Sequence, residues 1–160
     1  MFREDELNRF PKRKNPRSKY IDYTAQNYYF VTLCTKDKRC LFGEPPKLSG
    51  VGNIAKECLV RIPDHFSGAT VDKWVVMPNH IHAIIILNDN DVSLSAIIGQ
   101  YKSAVTRQLH KTIPDICIWQ NSFHDHVIRN QKDYERIWSY IDANPARWMD
   151  DCFYMPSENQ

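Results

Sequence analysis

Apolar and polar positions along the chain follow two periods, one typical of strands and one typical of helices. Stretches rich in β-branched and aromatic residues predict four strands, at 27–35, 71–77, 80–87 and 122–129. Apolar residues spaced three or four apart predict three helices, at 48–66, 94–109 and 132–144. The resulting order is β-α-β-β-α-β-α.

This order predicts a ferredoxin-like α+β sandwich, a βαββαβ(α) arrangement in which an antiparallel sheet carries its helices on one face. Pro78-Asn79 predicts a tight turn between the strands 71–77 and 80–87. Residues on both faces of 80–87 are apolar, so we expect this strand to lie in the centre of the sheet.

The same strand carries two histidines. Ile81 separates His80 from His82, so both imidazoles point to one face of the sheet. A buried imidazole is costly unless it is satisfied, and either hydrogen bonds or a bound cation would do so. A His-x-His pair is a weak pattern, and a second one, His124 and His126, occurs further along the chain. A metal would need at least one more protein ligand.

The last predicted helix offers that ligand. Tyr140 and Asn144 are four residues apart, so they share a helix face at the flank of the apolar stripe. Asn144 has an amide oxygen that could bind a cation, with the Tyr140 phenol one turn away. Pro145 should end the helix here. The alternative is a boundary tyrosine followed by an asparagine that merely precedes the helix-ending proline.

Charge is unevenly distributed, although the net charge of the 160-residue chain is only +2. Residues 9–19 contain six basic residues and no acidic one, which predicts a basic N-terminal arm over 1–26. The arm is either a solvated tail or a site for nucleic-acid phosphates, with four candidate contacts: Lys12, Arg13, Lys14 and Arg17. A main domain over 27–148 and a C-terminal tail over 149–160 complete the predicted organisation.

The cysteines and the N-terminus indicate a cytoplasmic protein. Five cysteines, an odd number with no Cys-x-x-Cys pair, favour reduced thiols over a disulfide framework or a zinc finger. The charged N-terminus lacks the apolar region of a signal peptide. The longest apolar run is too short to span a bilayer, so we expect no membrane association.

Four sequence blocks then occur in an order found in a known family: WVVMPNHIHAIIIL, IIGQYKSAVTR, WQNSFHDHVIRN and YIDANPARW. With them the chain resembles the single-tyrosine HUH transposases (transposase IS200-like), and within these the REP-associated tyrosine transposases. HUH denotes His-hydrophobic-His, which His80-Ile81-His82 matches. The resemblance extends over roughly 27–148, most of the chain.

The resemblance implies a metal-dependent single-stranded DNA endonuclease and strand transferase. By this resemblance, Tyr140 is the nucleophile that forms a 5′-phosphotyrosine, and His80, His82 and Asn144 hold Mg²⁺ or Mn²⁺. The expected partner is single-stranded or hairpin DNA, bound by a monomer or a homodimer. Members of the REP-associated branch are domesticated, and a DNA substrate implies a nucleoid-associated protein of a bacterial cell.

Other residues receive lesser roles. Lys102, Arg107 and Arg129 are candidate phosphate contacts, with a solvated helix face or a surface salt bridge as the equally acceptable alternative. His126 is assigned a supporting role. Tyr101 is a rival nucleophile, but it falls on the apolar stripe of its helix and is expected to be a core residue.

Two other function classes compete with a DNA-cleaving transferase. One is a zinc-dependent hydrolase that uses four histidines and no covalent step: His80, His82, His124 and His126. The other is a non-catalytic ferredoxin-like nucleic-acid-binding protein that relies on the basic arm and exposed aromatic residues. Dependence on Tyr140 and on Mg²⁺ or Mn²⁺ separates the three.

Overall fold

The computed structural model describes residues 27–88 and 92–156. Its elements, in chain order, are β1 (Asn27–Cys34), β2 (Gly43–Glu44), β3 (Lys47–Leu48), α1 (Gly50–Val60), α2 (Ile62–His65), β4 (Ala69–Val76), β5 (His80–Leu87), α3 (Leu94–His110), β6 (His124–Ile128) and α4 (Gln131–Ala143). A 3₁₀ segment, Pro145–Asp150, follows α4. The basic arm predicted over 1–26, with its four candidate phosphate contacts, lies outside the described residues.

Four strands form one antiparallel sheet in the order β4-β5-β1-β6. β5 lies in the interior of this sheet, as its two apolar faces predicted. The short hairpin β2–β3 forms a separate two-stranded sheet. The connections give the βαββαβ order followed by α4, so the predicted ferredoxin-like α+β class is confirmed.

The helices cover both faces of the sheet. α1 and α3 pack on the face that carries Ile81, Ala83 and Ile85, where the larger part of the core lies. α4 packs on the opposite face, against Phe30 and Ile84. The expectation of helices on one face therefore holds for the two helices that connect strands, and the C-terminal helix differs from it. The physical reason is that both faces of β5 are apolar, so each needs cover.

Side-chain caps fix where the long helices begin. Ser93 Oγ accepts a hydrogen bond from the backbone N–H of Ala96 at the start of α3, at 3.2 Å. Asn130 Oδ1 accepts one from Asp133 N at the start of α4, at 2.8 Å. These acceptors satisfy backbone donors that a helix leaves unpaired in its first turn. The cap on α4 fixes the start of the helix that carries Tyr140.

Candidate active site

The two histidines of β5 lie on the sheet face that α4 covers. His80 pairs with Cys34 of β1 and His82 pairs with Thr32, so both imidazoles stand on the same side, as predicted. Both histidines are 0% exposed. Their ring centroids are 4.5 Å apart. The strand period of two thus creates a buried pair of imidazoles between the sheet and α4.

Hydrogen bonds orient both rings through Nδ1. His80 Nδ1 lies 2.9 Å from Asn79 Oδ1, and His82 Nδ1 lies 2.8 Å from Thr32 Oγ1. An amide oxygen only accepts hydrogen bonds, so Nδ1 of His80 carries the proton and Nε2 keeps a lone pair. Burial lowers the pKa of His82 to about 3 and, together with the neighbouring His82, lowers the pKa of His80 well below 6.5. Both imidazoles are therefore neutral, which is the form that binds metals.

Helix α4 brings Tyr140 to these histidines. The phenolic oxygen of Tyr140 lies 3.3 Å from His82 Nε2. Asn144 follows one turn later as the C-terminal cap of α4, directly before Pro145, as the sequence predicted. The predicted position at the edge of the site needs correction, since Tyr140 is only 8% exposed and Asn144 only 3% exposed.

The C-terminal residues explain this burial. Residues 149–154, which match no sequence pattern, fold back towards the histidines instead of extending away. The Phe153 ring lies 4.5 Å from the His80 ring, centroid to centroid. Asn79 Nδ2 donates a hydrogen bond to the Phe153 carbonyl at 2.7 Å, and Phe153 N donates one to Asp151 Oδ1 at 2.8 Å. Asp151 is a site residue that sequence reasoning missed, because no periodicity marks it.

These side chains bring together donors suited to a cation. His80 Nε2 and Asn144 Oδ1 are buried and make no hydrogen bond to any described residue. Asp151 Oδ2 lies 3.9 Å from His80 Nε2 and accepts a hydrogen bond from Asn144 Nδ2 at 3.0 Å. The ligand atoms of His80, His82 and Asp151 all lie within 4.8 Å of one another.

That spacing fits a divalent ion. Ligand atoms around Mg²⁺ lie about 2.1 Å from the metal, so they are separated from one another by roughly 3 to 4 Å. Two neutral imidazole nitrogens, an amide oxygen and a carboxylate provide a mixed set of nitrogen and oxygen donors. The two unpartnered buried atoms, His80 Nε2 and Asn144 Oδ1, would both be satisfied by such an ion. The residues present therefore fit a divalent cation.

The pKa shifts at the site also favour a bound cation. Burial, with a further contribution from Asp151, raises the pKa of Tyr140, and the Asn144 side chain partly opposes this. Burial also raises the pKa of Asp151. Each group is harder to ionise than in water because burial penalises its charged form. A divalent cation would supply that charge and favour both the phenolate and the carboxylate.

The second histidine pair is arranged differently. His126 Nε2 lies 2.7 Å from Asp133 Oδ2, which joins β6 to the first turn of α4. This contact is compatible with the supporting role predicted for His126, since α4 carries Tyr140. His124 is exposed. Within residues 27–88 and 92–156, the group that could hold a metal includes neither His124 nor His126, which counts against a four-histidine zinc site.

Two of the three predicted phosphate contacts within the described residues lie away from the histidines. Lys102 and Arg107 are on α3, which covers the opposite face of the sheet. Lys102 Nζ donates to the carbonyls of Gln120 and Ser122, at 2.8 and 3.0 Å, which gives it a role in holding that loop. Arg129 is exposed and lines a cleft beside Tyr28 and Tyr134. Their contacts with DNA remain predictions.

Tyr101 belongs to the core, as expected. It is 3% exposed, and its hydroxyl donates a hydrogen bond to the carbonyl of Ala55 at 3.0 Å. Tyr101 stands on α3, on the other side of the sheet from His80 and His82. It is therefore far less suited than Tyr140 to act at this site.

An antiparallel ferredoxin-like sheet with a buried His-hydrophobic-His pair and a tyrosine against it defines a class of single-tyrosine transposases. The family described as "Transposase IS200 like" matches residues 23–144. The chain belongs to this family. The resemblance drawn from the sequence blocks is thereby confirmed.

Individual relatives and a solved structure are consistent with this family. A Haemophilus influenzae protein of unassigned function is 30% identical over 89% of this chain and 93% of its own length. A REP-associated tyrosine transposase of Escherichia coli K12 is 35% identical, over 48% of this chain and 44% of its own length. The solved structure of a REP-associated tyrosine transposase bound to a REP hairpin superposes with a TM-score of 0.63, at 25% identity, over 82% of this chain and 74% of that one. The chain is thus similar to REP-associated tyrosine transposases.

No helix within the described residues has the length and apolar character needed to cross a bilayer.

Proposed function

We propose that this protein is a metal-dependent single-stranded DNA endonuclease and strand transferase that acts through a covalent 5′-phosphotyrosine on Tyr140. The observation that carries the proposal is the position of the Tyr140 phenol, 3.3 Å from His82 Nε2. Beside it lie two buried polar atoms without a hydrogen-bond partner, His80 Nε2 and Asn144 Oδ1. A nucleophile thus stands next to a set of donors that fits a cation.

The metal is Mg²⁺ or Mn²⁺ in this proposal, held by His80, His82 and Asn144. When bound, it supplies positive charge that offsets the negative charge of a phosphodiester. Two neutral imidazoles suit this task because they leave the charge of the ion undiminished. Asp151 lies in the same group of potential ligands.

Tyr140 performs the chemical step. Its phenolic oxygen forms a bond to phosphorus while the bond between phosphorus and the 3′-oxygen breaks, so the departing strand leaves with a free 3′-OH. The phenol must give up its proton, and burial raises its pKa, so the site has to stabilise the phenolate. The phosphotyrosine ester conserves the phosphodiester bond energy. A second 3′-OH can therefore attack it and rejoin the strand without ATP.

The substrate we propose is single-stranded or hairpin DNA. The support is the similarity to a REP-associated tyrosine transposase that was solved with a REP hairpin. The catalytic domain would comprise 27–148, with the basic arm over 1–26 as a further phosphate-binding segment. One nucleophilic tyrosine per chain cleaves one strand at a time, so a monomer would act twice in sequence and a homodimer could act on two ends. Such a substrate would place the protein at the bacterial nucleoid.

A cleavage assay tests the proposal against the two competing classes. The protein is incubated with a labelled hairpin carrying a single-stranded flank, with Mn²⁺, with Zn²⁺ or with EDTA, and the products are resolved under denaturing conditions. We expect cleavage with Mn²⁺ and a labelled strand that stays attached to the protein. Cleavage without any protein-linked strand would favour a hydrolase, and binding without cleavage under every condition would favour a non-catalytic nucleic-acid-binding protein.

A further inference from the structure

We propose that Asp151 is a positioning residue that turns the amide of Asn144 so that its oxygen faces the two histidines. This inference rests on the proposed function, in which Asn144 is a metal ligand. It assigns a task to the C-terminal segment, which matches no sequence pattern.

An asparagine side chain has two ends of nearly equal size, and only the oxygen can bind a cation. Asn144 is the C-terminal cap of α4, with Pro145 directly after it, so the regular packing of a helix interior does not fix its side chain. Some neighbour must therefore choose which end of the amide points into the site. Asp151 is a neighbour whose carboxylate contacts the amide nitrogen directly.

The hydrogen bond between Asn144 and Asp151 determines which end of the amide faces the histidines. Asn144 Nδ2 donates a hydrogen bond to Asp151 Oδ2 at 3.0 Å. The reversed amide would set its oxygen against the carboxylate, two acceptors facing each other with no proton between them. With the nitrogen held by Asp151, Asn144 Oδ1 is left buried without a partner, as His80 Nε2 is. The carboxylate thus leaves the amide oxygen available for a cation.

Asp151 is in turn held in place by the backbone that follows it. Phe153 N donates to Asp151 Oδ1 at 2.8 Å, and the Phe153 carbonyl accepts a hydrogen bond from Asn79 Nδ2 at 2.7 Å. Asn79 also contacts His80 through its other amide atom, at 2.9 Å. A chain of hydrogen bonds therefore joins the orientation of His80 to that of Asn144 through the C-terminal segment.

A second role for Asp151, direct binding of the cation, is separable from positioning. Asp151 Oδ2 lies 3.9 Å from His80 Nε2, a spacing that a shared ion would permit. A directly bound carboxylate would contribute affinity with or without Asn144. A positioning carboxylate acts only through Asn144, so its contribution vanishes when the amide is removed.

The test is a double-mutant cycle on Mn²⁺ affinity, measured by calorimetry and by the electron paramagnetic resonance signal of free Mn²⁺, in the full chain without DNA. We expect D151A to weaken Mn²⁺ binding by about 10-fold or more, the size typical of residues that orient metal ligands. N144A should weaken it at least as much. The double variant N144A/D151A should bind no more weakly than N144A alone. D150A, which alters the exposed neighbouring carboxylate, should bind like the parent protein.

Three outcomes would overturn the inference, and two of them leave the proposed function intact. Parent-like affinity in D151A, or a further loss in N144A/D151A beyond N144A, would show that Asp151 does not act through Asn144. Parent-like affinity in N144A would instead reject Asn144 as a ligand and with it the metal site as proposed. If D151A does not fold, the same cycle is run with D151N, which keeps the size of the side chain and loses one of its two acceptors.

Discussion

The phenolic oxygen of Tyr140 lies 3.3 Å from Nε2 of His82, across the contact between α4 and β5. This pair joins the two elements that carry the proposed nucleophile and the two histidines. The strand period places His82 beside His80, and the helical period places Tyr140 one turn before Asn144.

The first prediction concerns the cation. H80A and H82A should each abolish cleavage dependent on Mg²⁺ or Mn²⁺ and remove the thermal stabilisation that Mn²⁺ gives the parent protein. That stabilisation should reach about 2.7 kcal/mol when Mn²⁺ exceeds its dissociation constant 100-fold. Differential scanning calorimetry with Mn²⁺ and with EDTA measures it.

Two controls are available for the first prediction. H124A alters an exposed histidine of β6 and should keep both effects, while H126A should be milder than H82A because it disturbs only the contact with Asp133. A parent-like response to Mn²⁺ in H80A would place the metal site elsewhere.

The second prediction concerns the stability of the metal-free protein against pH. His82 has a pKa of about 3 in the folded protein and an ordinary value of 6.5 in the unfolded chain, and the pKa of His80 is lowered as well. Below pH 6.5 the unfolded chain binds protons that the folded protein does not, so stability is lost as pH falls from 6.5 towards 3. The expected slope is on the order of 1 kcal/mol per pH unit for each histidine.

The titration of Asp151 changes the stability of the fold with pH in the opposite direction. Burial raises its pKa, so its stabilising contribution is present at low pH and is lost as pH rises through the folded value. The two histidines should contribute more to the pH dependence of stability than the single carboxyl, so the net stability should fall as pH falls. Urea unfolding at several pH values in EDTA measures the sum, and H82A should show a shallower pH dependence than the parent. Equal stability at pH 7 and pH 5 in the parent would contradict the buried, neutral state of the histidines.

Much of this site could be predicted because it depends on regular periods. Alternation placed His80 and His82 on one face of β5, and a spacing of four residues placed Tyr140 and Asn144 together. Asp151 and Phe153 could not be found in this way. They lie in irregular chain, held by hydrogen bonds between side chains and backbone such as the one from Asn79 to Phe153, and such contacts leave no periodic trace in the sequence.

The position of α4 and the burial of Tyr140 also could not be predicted from the sequence. Both faces of β5 are apolar, so the pattern alone does not tell which face a further helix covers. Tyr140 sits at the flank of the apolar stripe of α4, which indicated an exposed edge. The chain beyond 148 instead folds back onto the histidines and Asn144, and Tyr140 is only 8% exposed. The sequence offered no expectation for this segment.

The third prediction concerns the basic arm, which lies outside the described residues. Removing 1–20 should weaken binding to single-stranded DNA and flatten its dependence on salt, because the arm contains six cations within 9–19. Each lost phosphate contact lowers the slope of log affinity against log salt by roughly 0.7. Fluorescence anisotropy over a range of salt concentrations measures that slope. An unchanged slope would mean that the arm does not bind phosphates.

The central claim is that Tyr140 is the nucleophile, and Y140F tests it most directly. The variant removes one oxygen that lies 3.3 Å from His82 Nε2, so the free energy of unfolding should change by only about 1 kcal/mol. Mn²⁺ and DNA binding should survive while cleavage stops, and Y101F, which alters a core tyrosine, should keep cleaving.

The decisive measurement is mass spectrometry of peptides from the protein after incubation with a labelled hairpin and Mn²⁺. The account predicts a 5′-phosphotyrosine adduct on the peptide containing Tyr140 and none with Y140F. An adduct on Tyr101, or cleavage by Y140F at the parent rate, would contradict it.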